Sequence, residues 1–209
     1  SRLLERHPFI QAFNYQRVVT AGERAAVVAG LQRVRPGAIL TEQTAHGIVP
    51  APPRSRYHIV EYVEPMAGNE SAFGLNLGQN PGVMDDLDLA RASGQPAATG
   101  MFPLATAPGE QGAFSLVMPV FDRRGNLRGN TAVVIRPSEL VQQSLLKAGL
   151  LGRDDIFVSV YAGERADPAA LLLSTGPTTR ATRTTLADWL RPDHGIRSAV
   201  LQAGGKPWR

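Results

Sequence analysis

Apolar residues along this chain recur with two different periods, and the change from one to the other marks out its elements. Ile10, Phe13 and Val18, with Arg17 beside it, fall at three- and four-residue intervals, which predicts a helix over residues 8–18. Thr20-Ala21-Gly22-Glu23 then matches a capping box, in which the threonine hydroxyl and the glutamate carboxylate satisfy free amides at a new helix start. That second helix should run to about Val34, where Arg35-Pro36-Gly37 stops it. A proline-rich connection over 47–53 leads to residues 57–63, whose β-branched and aromatic content predicts a strand ended by Pro65. The polar loop 67–71 is followed by a short extended piece, 73–77, in which Gly74 permits a bend or a close backbone approach.

Asn80-Pro81 is the favoured start of a helix, asparagine as cap and proline at the first helical position, and Gly94 is placed as its left-handed stop. Val83, Met84, Leu87 and Ala90 or Arg91 give this helix one apolar side. Residues 95–104 read as a loop and a strand. Residues 112–121 and 127–135 read as two strands joined by the turn 122–126, and so as a hairpin. A helix opened by Pro137 or Ser138 carries Leu140, Val141, Leu145 and Leu146 and closes at Gly149. After Gly152 the pattern restarts with strands at 156–161 and 171–174, a threonine-rich stretch and a last hairpin over 196–208. The restart predicts three parts: N-terminal helices over 1–36, a first sheet unit over 37–136 and a second over 137–209. The two front helices either pair with another copy of the chain, through Leu3, Leu4, Ile10 and Phe13, or pack on their own domain.

Composition narrows the function classes. At 209 residues and 43% hydrophobic content the chain can bury a real core. No run of about twenty apolar residues occurs, and the first residues have neither the apolar stretch nor the cleavage site of a signal peptide. Cysteine is absent, which excludes disulfides, thiolate metal sites and thiol catalysis. The net charge of +4 comes mostly from arginines near the two ends, without the dense basic cluster and interleaved aromatics of a nucleic-acid groove, so no nucleic-acid partner is expected.

Catalytic chemistry is equally sparse. His7, His46, His58 and His194 show no metal-ligand spacing, and His58 reads as a surface or packed strand residue. Asp85, Asp86 and Asp88 sit near a helix start, where the dipole favours carboxylates, and they point to different sides. No nucleophile elbow, phosphate loop or dinucleotide fingerprint occurs, so neither enzyme activity nor a cofactor is expected. What remains is an apolar and aromatic set with one hydroxyl: Tyr62, Leu77, Met84, Leu87, Thr99, Phe102, Leu104, Phe114, Leu116 and Met118. Such a set makes either the walls of a small-molecule pocket or an ordinary core.

Several of these residues lie in runs that carry a family resemblance. Tyr57-His58-Ile59-Val60, Tyr62-Val63-Glu64-Pro65, Asn69, Gly74-Leu75-Asn76-Leu77, Ala90-Arg91-Ala92-Ser93-Gly94 and Thr99 together resemble the signature of the CHASE sensor domains. Pro8, the stretch from Phe13 to Val18, Glu23-Arg24 and the strand from Phe114 to Val120 resemble its flanks, so that the likeness covers most of residues 7–161. The resemblance implies an α+β fold, with a long N-terminal helical region followed by two PAS-like antiparallel-sheet units, membrane-distal and membrane-proximal. It implies an extracytoplasmic, periplasmic domain of a membrane receptor, homodimeric through its N-terminal helices and joined to a cytoplasmic histidine kinase or nucleotide cyclase such as a diguanylate cyclase. Lys206-Pro207-Trp208-Arg209 would then precede the second membrane span.

The family's best-known ligands are adenine-type cytokinins, read by an acid at a position that corresponds here to Pro65, with Glu64 adjacent and Thr99 matching a polar pocket residue. An adenine-type ligand would therefore use altered contacts. The expectation is a small-molecule site in the distal unit, in which Leu87→Arg or Thr99→Ile abolishes ligand-induced stabilisation and leaves the fold. The alternative is a module that holds a partner protein and encloses no cavity.

Overall fold

The computed structural model describes residues 2–102, 104, 112–151, 157–175, 198–203 and 205–208. It divides into two compact units, Ser1–Pro137 and Ser138–Arg209. In the first, a five-residue helix α1 (Arg2–Arg6) precedes β1 (Ile10–Thr20), a 3-10 turn (Ala21–Glu23) and α2 (Arg24–Val34). The hairpin of β2 (Thr41–Thr44) and β3 (Gly47–Pro50), then β4 (Arg56–Glu64) and β5 (Leu75–Asn76), lead to α3 (Pro81–Ser93). β6 (Ala97–Ala98), β7 (Phe114–Phe121) and β8 (Leu127–Ile135) complete an eight-stranded sheet in the order β3-β2-β5-β4-β1-β8-β7-β6. The sheet is mixed, because β2 and β5 run parallel while the other pairs are antiparallel.

β1 is the main correction to the sequence reading: the predicted helix over 8–18 is the central strand of the sheet. Its most buried residues are Ala12, Gln16 and Val19, spaced four and three apart, so that the burial itself mimics a helical period. Ala12 and Gln16 are buried on one face and Val19 on the other, while Phe13 and Tyr15 between them line an open groove, so burial does not alternate as it does along a half-exposed strand. A long N-terminal helical region is therefore absent: before β2 there are only α1 and the eleven residues of α2, separated by β1. Leu3 and Leu4 lie on α1 while Ile10 and Phe13 lie on β1, so these four do not form one apolar helix face. The expected pair of antiparallel-sheet units is also overturned. The first unit holds one mixed eight-stranded sheet, and the described residues of the second hold two separate two-stranded ones.

Elsewhere local chemistry acts as read. Glu23 accepts from the Thr20 amide (2.9 Å) and hydroxyl (2.8 Å), opening the turn that enters α2. The Asn80 side chain accepts from the Val83 amide, Pro81 follows it, and Gly94 closes α3 at φ +65°. Between β7 and β8, the Asp122 carboxylate accepts from the amides of Arg124 and Asn126, each at 2.9 Å.

Cross-strand register assigns the two faces of the sheet. Tyr15 stands opposite both Tyr62 and Thr131, and Thr131 opposite Met118, so these share a face with Phe13, Val133 and Leu116. The other face carries Ala12, Asn14 and Gln16 on β1, Asn130, Ala132 and Val134 on β8, Ser115 and Val117 on β7, and Val63 on β4. α3 covers part of this second face: Leu87 and Ala90 are buried in one cluster with Ala97, Val117 and Ala132. α2 contributes Val27 and Leu31 to a larger cluster with Val19, Tyr57, Ile59 and Phe73.

Gly74 stitches three strands together. Its amide donates to the Val60 carbonyl (2.9 Å) and its carbonyl accepts from Thr41 (3.0 Å), at a left-handed φ of +86°. A Cβ added there would lie 2.5 Å from the Ile39 carbonyl oxygen. Gly74→Ala should thus combine left-handed backbone strain with a backbone clash and cost about 3 kcal/mol. For a chain of this size that is a fall of about 6–12 °C in melting temperature, and a melt within 2 °C of wild type, by a ~2–4 °C per kcal/mol scale, would refute the clash.

The second unit contains α4 (Pro137–Lys147), followed by Gly149 at φ +67°. β9 (Ser159–Tyr161) pairs with β10 (Leu171–Ser174), and β11 (Leu201–Ala203) with β12 (Lys206–Trp208). The threonine-rich stretch and the first residues of the predicted last hairpin lie outside the described residues.

Candidate functional site

Among the hollows that open between described residues of the first unit are three in which the strands decide which side chains reach the space. The innermost is a partly enclosed cavity of about 130 Å³. Its floor is Ala12, Asn14, Val63 and Val134 from the α3 side of the sheet. Gly68, Asn69, Ser71 and Ala72 of the loop after β4 form one wall, Gln43, Ile48 and Leu75 another, and Phe102 and Leu104 a third. That volume holds about four waters at ~30 Å³ each, or a single small ring. The polar side chains lining it are three carboxamides and one hydroxyl, and none of the described lining residues is ionisable.

Those polar groups are differently committed. Asn69 is engaged at both ends, donating to the Pro65 carbonyl (3.0 Å) and accepting from Gln11 (3.0 Å), which fixes the loop to the sheet. Asn14 accepts from the Gln16 amide group at 3.0 Å, and Gln43 donates to the Thr44 carbonyl at 3.2 Å. Behind Asn14 on the same face, Gln16 is buried opposite Asn130. The Gln16 Oε1 and Asn130 Nδ2 atoms have no protein partner among the described residues, and neither does His58 Nδ1. His58 itself is packed, 6% exposed, and burial, helped by the Arg56 charge, holds its pKa below the ordinary histidine value.

The cavity wall on β2 and β5 is braced from behind. Thr41, Gln43 and Leu75 face the hollows, so by alternation Glu42 and Asn76 point the other way. There the Arg54 guanidinium grips the buried Glu42 carboxylate with bonds of 2.6 and 2.8 Å, and Asn76 Nδ2 donates to Glu42 Oε1 at 2.7 Å. Asn76 Oδ1 accepts from the amides of His58 (2.8 Å) and Gly78 (3.2 Å). The hydrogen bonds from Arg54, opposed by burial and joined by the one from Asn76, hold the Glu42 carboxyl below the usual carboxylate range.

A second hollow of about 250 Å³ shares Ile48 and Ser71 with the first and continues outward to Arg35, Ala38, Ile39 and Phe73. The third, about 500 Å³, is an open groove on the opposite face of the sheet, walled by Phe13, Tyr15, Tyr62, Pro96, Leu116, Met118 and Val133. Tyr62 and Met118 there are 55% and 47% exposed.

The ten residues singled out in the sequence are thus divided among several places. Tyr62, Leu116 and Met118 share the open groove, while Phe102 and Leu104 line the inner cavity. Met84 and Leu87 belong to the cluster packed under α3 and line none of these three hollows, and Leu77 packs against the larger core cluster. Phe114 is buried opposite Ile135. Thr99 is a buried link: its hydroxyl accepts from the Ser115 amide (2.9 Å) and donates to the Gly100 carbonyl (3.0 Å). Asp86 is buried rather than solvated, and its carboxylate accepts from the Gly100 amide at 3.1 Å.

Sequence reasoning missed Asn14, Gln43, Ile48, Asn69 and Ser71 as lining residues. Asn14 fell inside the predicted helix, and the other four lay in loops or connections. The available signal was the run of carboxamides Gln11, Asn14 and Gln16 among apolar residues, which is costly in a strand interior unless they have partners to meet.

Among the described residues there is no group of three or more histidines and acids able to hold a metal ion, and no helix long and apolar enough to cross a membrane. No curated protein matches the chain. The sequence model of one family, the CHASE domain, matches residues 1–173 and so takes in the whole eight-stranded sheet with its cavities and the β9–β10 pair beyond it. With most of its length matched, the chain belongs to the CHASE domain family, the sensory, non-catalytic extracytoplasmic domains of membrane receptors.

Proposed function

We propose that the first unit is the receiving end of a small-molecule sensor and that its ligand sits in the 130 Å³ cavity between the sheet and the loop 68–72. The observation that carries this is the makeup of that cavity: apolar and aromatic walls with a few convergent polar groups, at a volume below the ~300–1,000 Å³ of drug-sized sites. A single-ring compound fits this size, and adenine-type heterocycles belong among the first probes. The second unit then stands nearer the membrane, and a periplasmic signal is carried to a cytoplasmic histidine kinase or diguanylate cyclase. A ligand acts there only by binding one arrangement of the domain better than another.

The open groove supports a second reading, in which a partner protein is held on Tyr62, Leu116 and Met118, because exposed apolar patches of this kind mark interaction surfaces. A thermal-shift screen of the 209-residue chain separates the two. Stabilisation by a hit should vanish in Ala72→Phe, which fills the cavity, and persist in Met118→Asp, which alters the groove. The reverse pattern would overturn the cavity assignment.

A further inference from the structure

We infer that the inner cavity takes a small, uncharged, planar molecule that presents a hydrogen-bond donor and an acceptor side by side, as an amide, lactam or urea edge does. This rests on the cavity being the ligand site. None of its described lining residues is ionisable: Glu42 with Arg54 faces the other way and is saturated by its own bonds, and Arg35 and Glu70 line the adjoining outer hollow instead. An ion placed there would lose its hydration without gaining a counter-charge, a cost that a neutral molecule avoids.

The uncommitted atoms specify the rest. Asn14 spends its oxygen on Gln16, which leaves Nδ2 to donate. Gln43 spends its amide group on the Thr44 carbonyl, which leaves Oε1 to accept. Ser71 Oγ can do either, while Asn69 already makes one hydrogen bond from each end of its amide. A carboxylate or an amidinium could hydrogen-bond to some of these groups, since each amide nitrogen carries two N–H and each amide oxygen two lone pairs, but it would meet no opposite charge among the described lining residues. An amide edge matches one of each, with Phe102, Val63 and Val134 against the flat remainder of the molecule.

Benzamide, benzoate and benzamidine have nearly the same shape and differ in charge, so their binding to the 209-residue chain tests the inference by ligand-observed NMR and thermal shift. Benzamide should bind at least about tenfold tighter than either charged analogue. Gln43→Met and Asn14→Leu should each weaken it by about tenfold, the loss of one hydrogen bond. Gln43 is exposed on β2, in the hairpin that ends the sheet, so its variant carries the test if Asn14→Leu disturbs the fold. Tighter binding of benzoate or benzamidine overturns the inference. If that binding is lost in Ala72→Phe the cavity still receives ligand and only the class is wrong, whereas if it persists the cavity assignment fails as well. Failure of all three to bind also overturns the inference, and the wider screen then decides the cavity.

Discussion

Replacing Asn76 with leucine should destabilise the first unit by about 3–5 kcal/mol, since several buried groups lose their partners at once. Asn76 is 3% exposed and joins β2, β4 and the turn after β5 through three hydrogen bonds. Leucine has the same branched skeleton, with bulkier methyl ends, and none of its polarity. The amides of His58 and Gly78 would be stranded, and the Glu42 carboxylate would keep only Arg54. An unsatisfied buried group costs about 1–3 kcal/mol, and three sharing one site add less than fully. Against a typical stability of about 5–15 kcal/mol, the variant should melt about 10 °C or more below wild type. A shift under about 2 °C would mean that water replaces the asparagine, and the brace would lose its importance.

The same network makes the domain acid-labile with a defined sign. Glu42 has a folded pKa below the ordinary glutamate value of about 4.5, so its contribution is fully present above that pH and is lost as pH falls through the lower folded value. His58 adds a loss that starts earlier. Its folded pKa lies below 6.5, so on acidification the unfolded chain takes up a proton that the folded chain refuses. Glu42→Gln should flatten the lower limb of the stability curve and leave the His58 limb near neutrality. Arg54 is one-third exposed, so the purely Coulombic share of the pair is screened and small beside the hydrogen bonds.

These residues also explain how far the sequence could be read. The cap of α3, its glycine stop, the β7–β8 turn and the capping box at Thr20 depend on neighbours within a few positions, and each was legible. β1 was not, because its buried face changes along the strand, and burial at Ala12 and Gln16 on one side and Val19 on the other copies the spacing of a helix. The motif Gly74-Leu75-Asn76-Leu77 announced the family, yet what it encodes is a backbone approach at Gly74 and a polar brace at Asn76. The cavity was invisible for a related reason. It is built from a central strand, an edge hairpin and two loops, and only the sheet order brings Asn14, Gln43 and Ser71 together.

Leu87→Arg should unfold the first unit rather than silence a ligand site within an intact fold. Leu87 is 4% exposed and lies in a filled cluster with Ala90, Ala97, Val117 and Ala132. Truncation to alanine there would already cost about 2–5 kcal/mol, and an arginine adds an uncompensated charge that can escape only by lifting α3 from the sheet. Thr99→Ile should be milder, about 1–3 kcal/mol, because it strands the Ser115 amide without bringing in a charge. Thr99→Ser keeps that bond and should stay close to wild type. Denaturant melts without any ligand decide the matter, since a lost thermal-shift response is informative only in a variant whose own melt is unchanged. Ala72→Phe passes that test if the cavity is a site, because it adds volume where there is space. A Leu87→Arg protein melting cooperatively within a few degrees of wild type would show that α3 separates from Val117 and Ala132 at little cost, and the ligand site would then have to be sought beneath the helix instead of beside it.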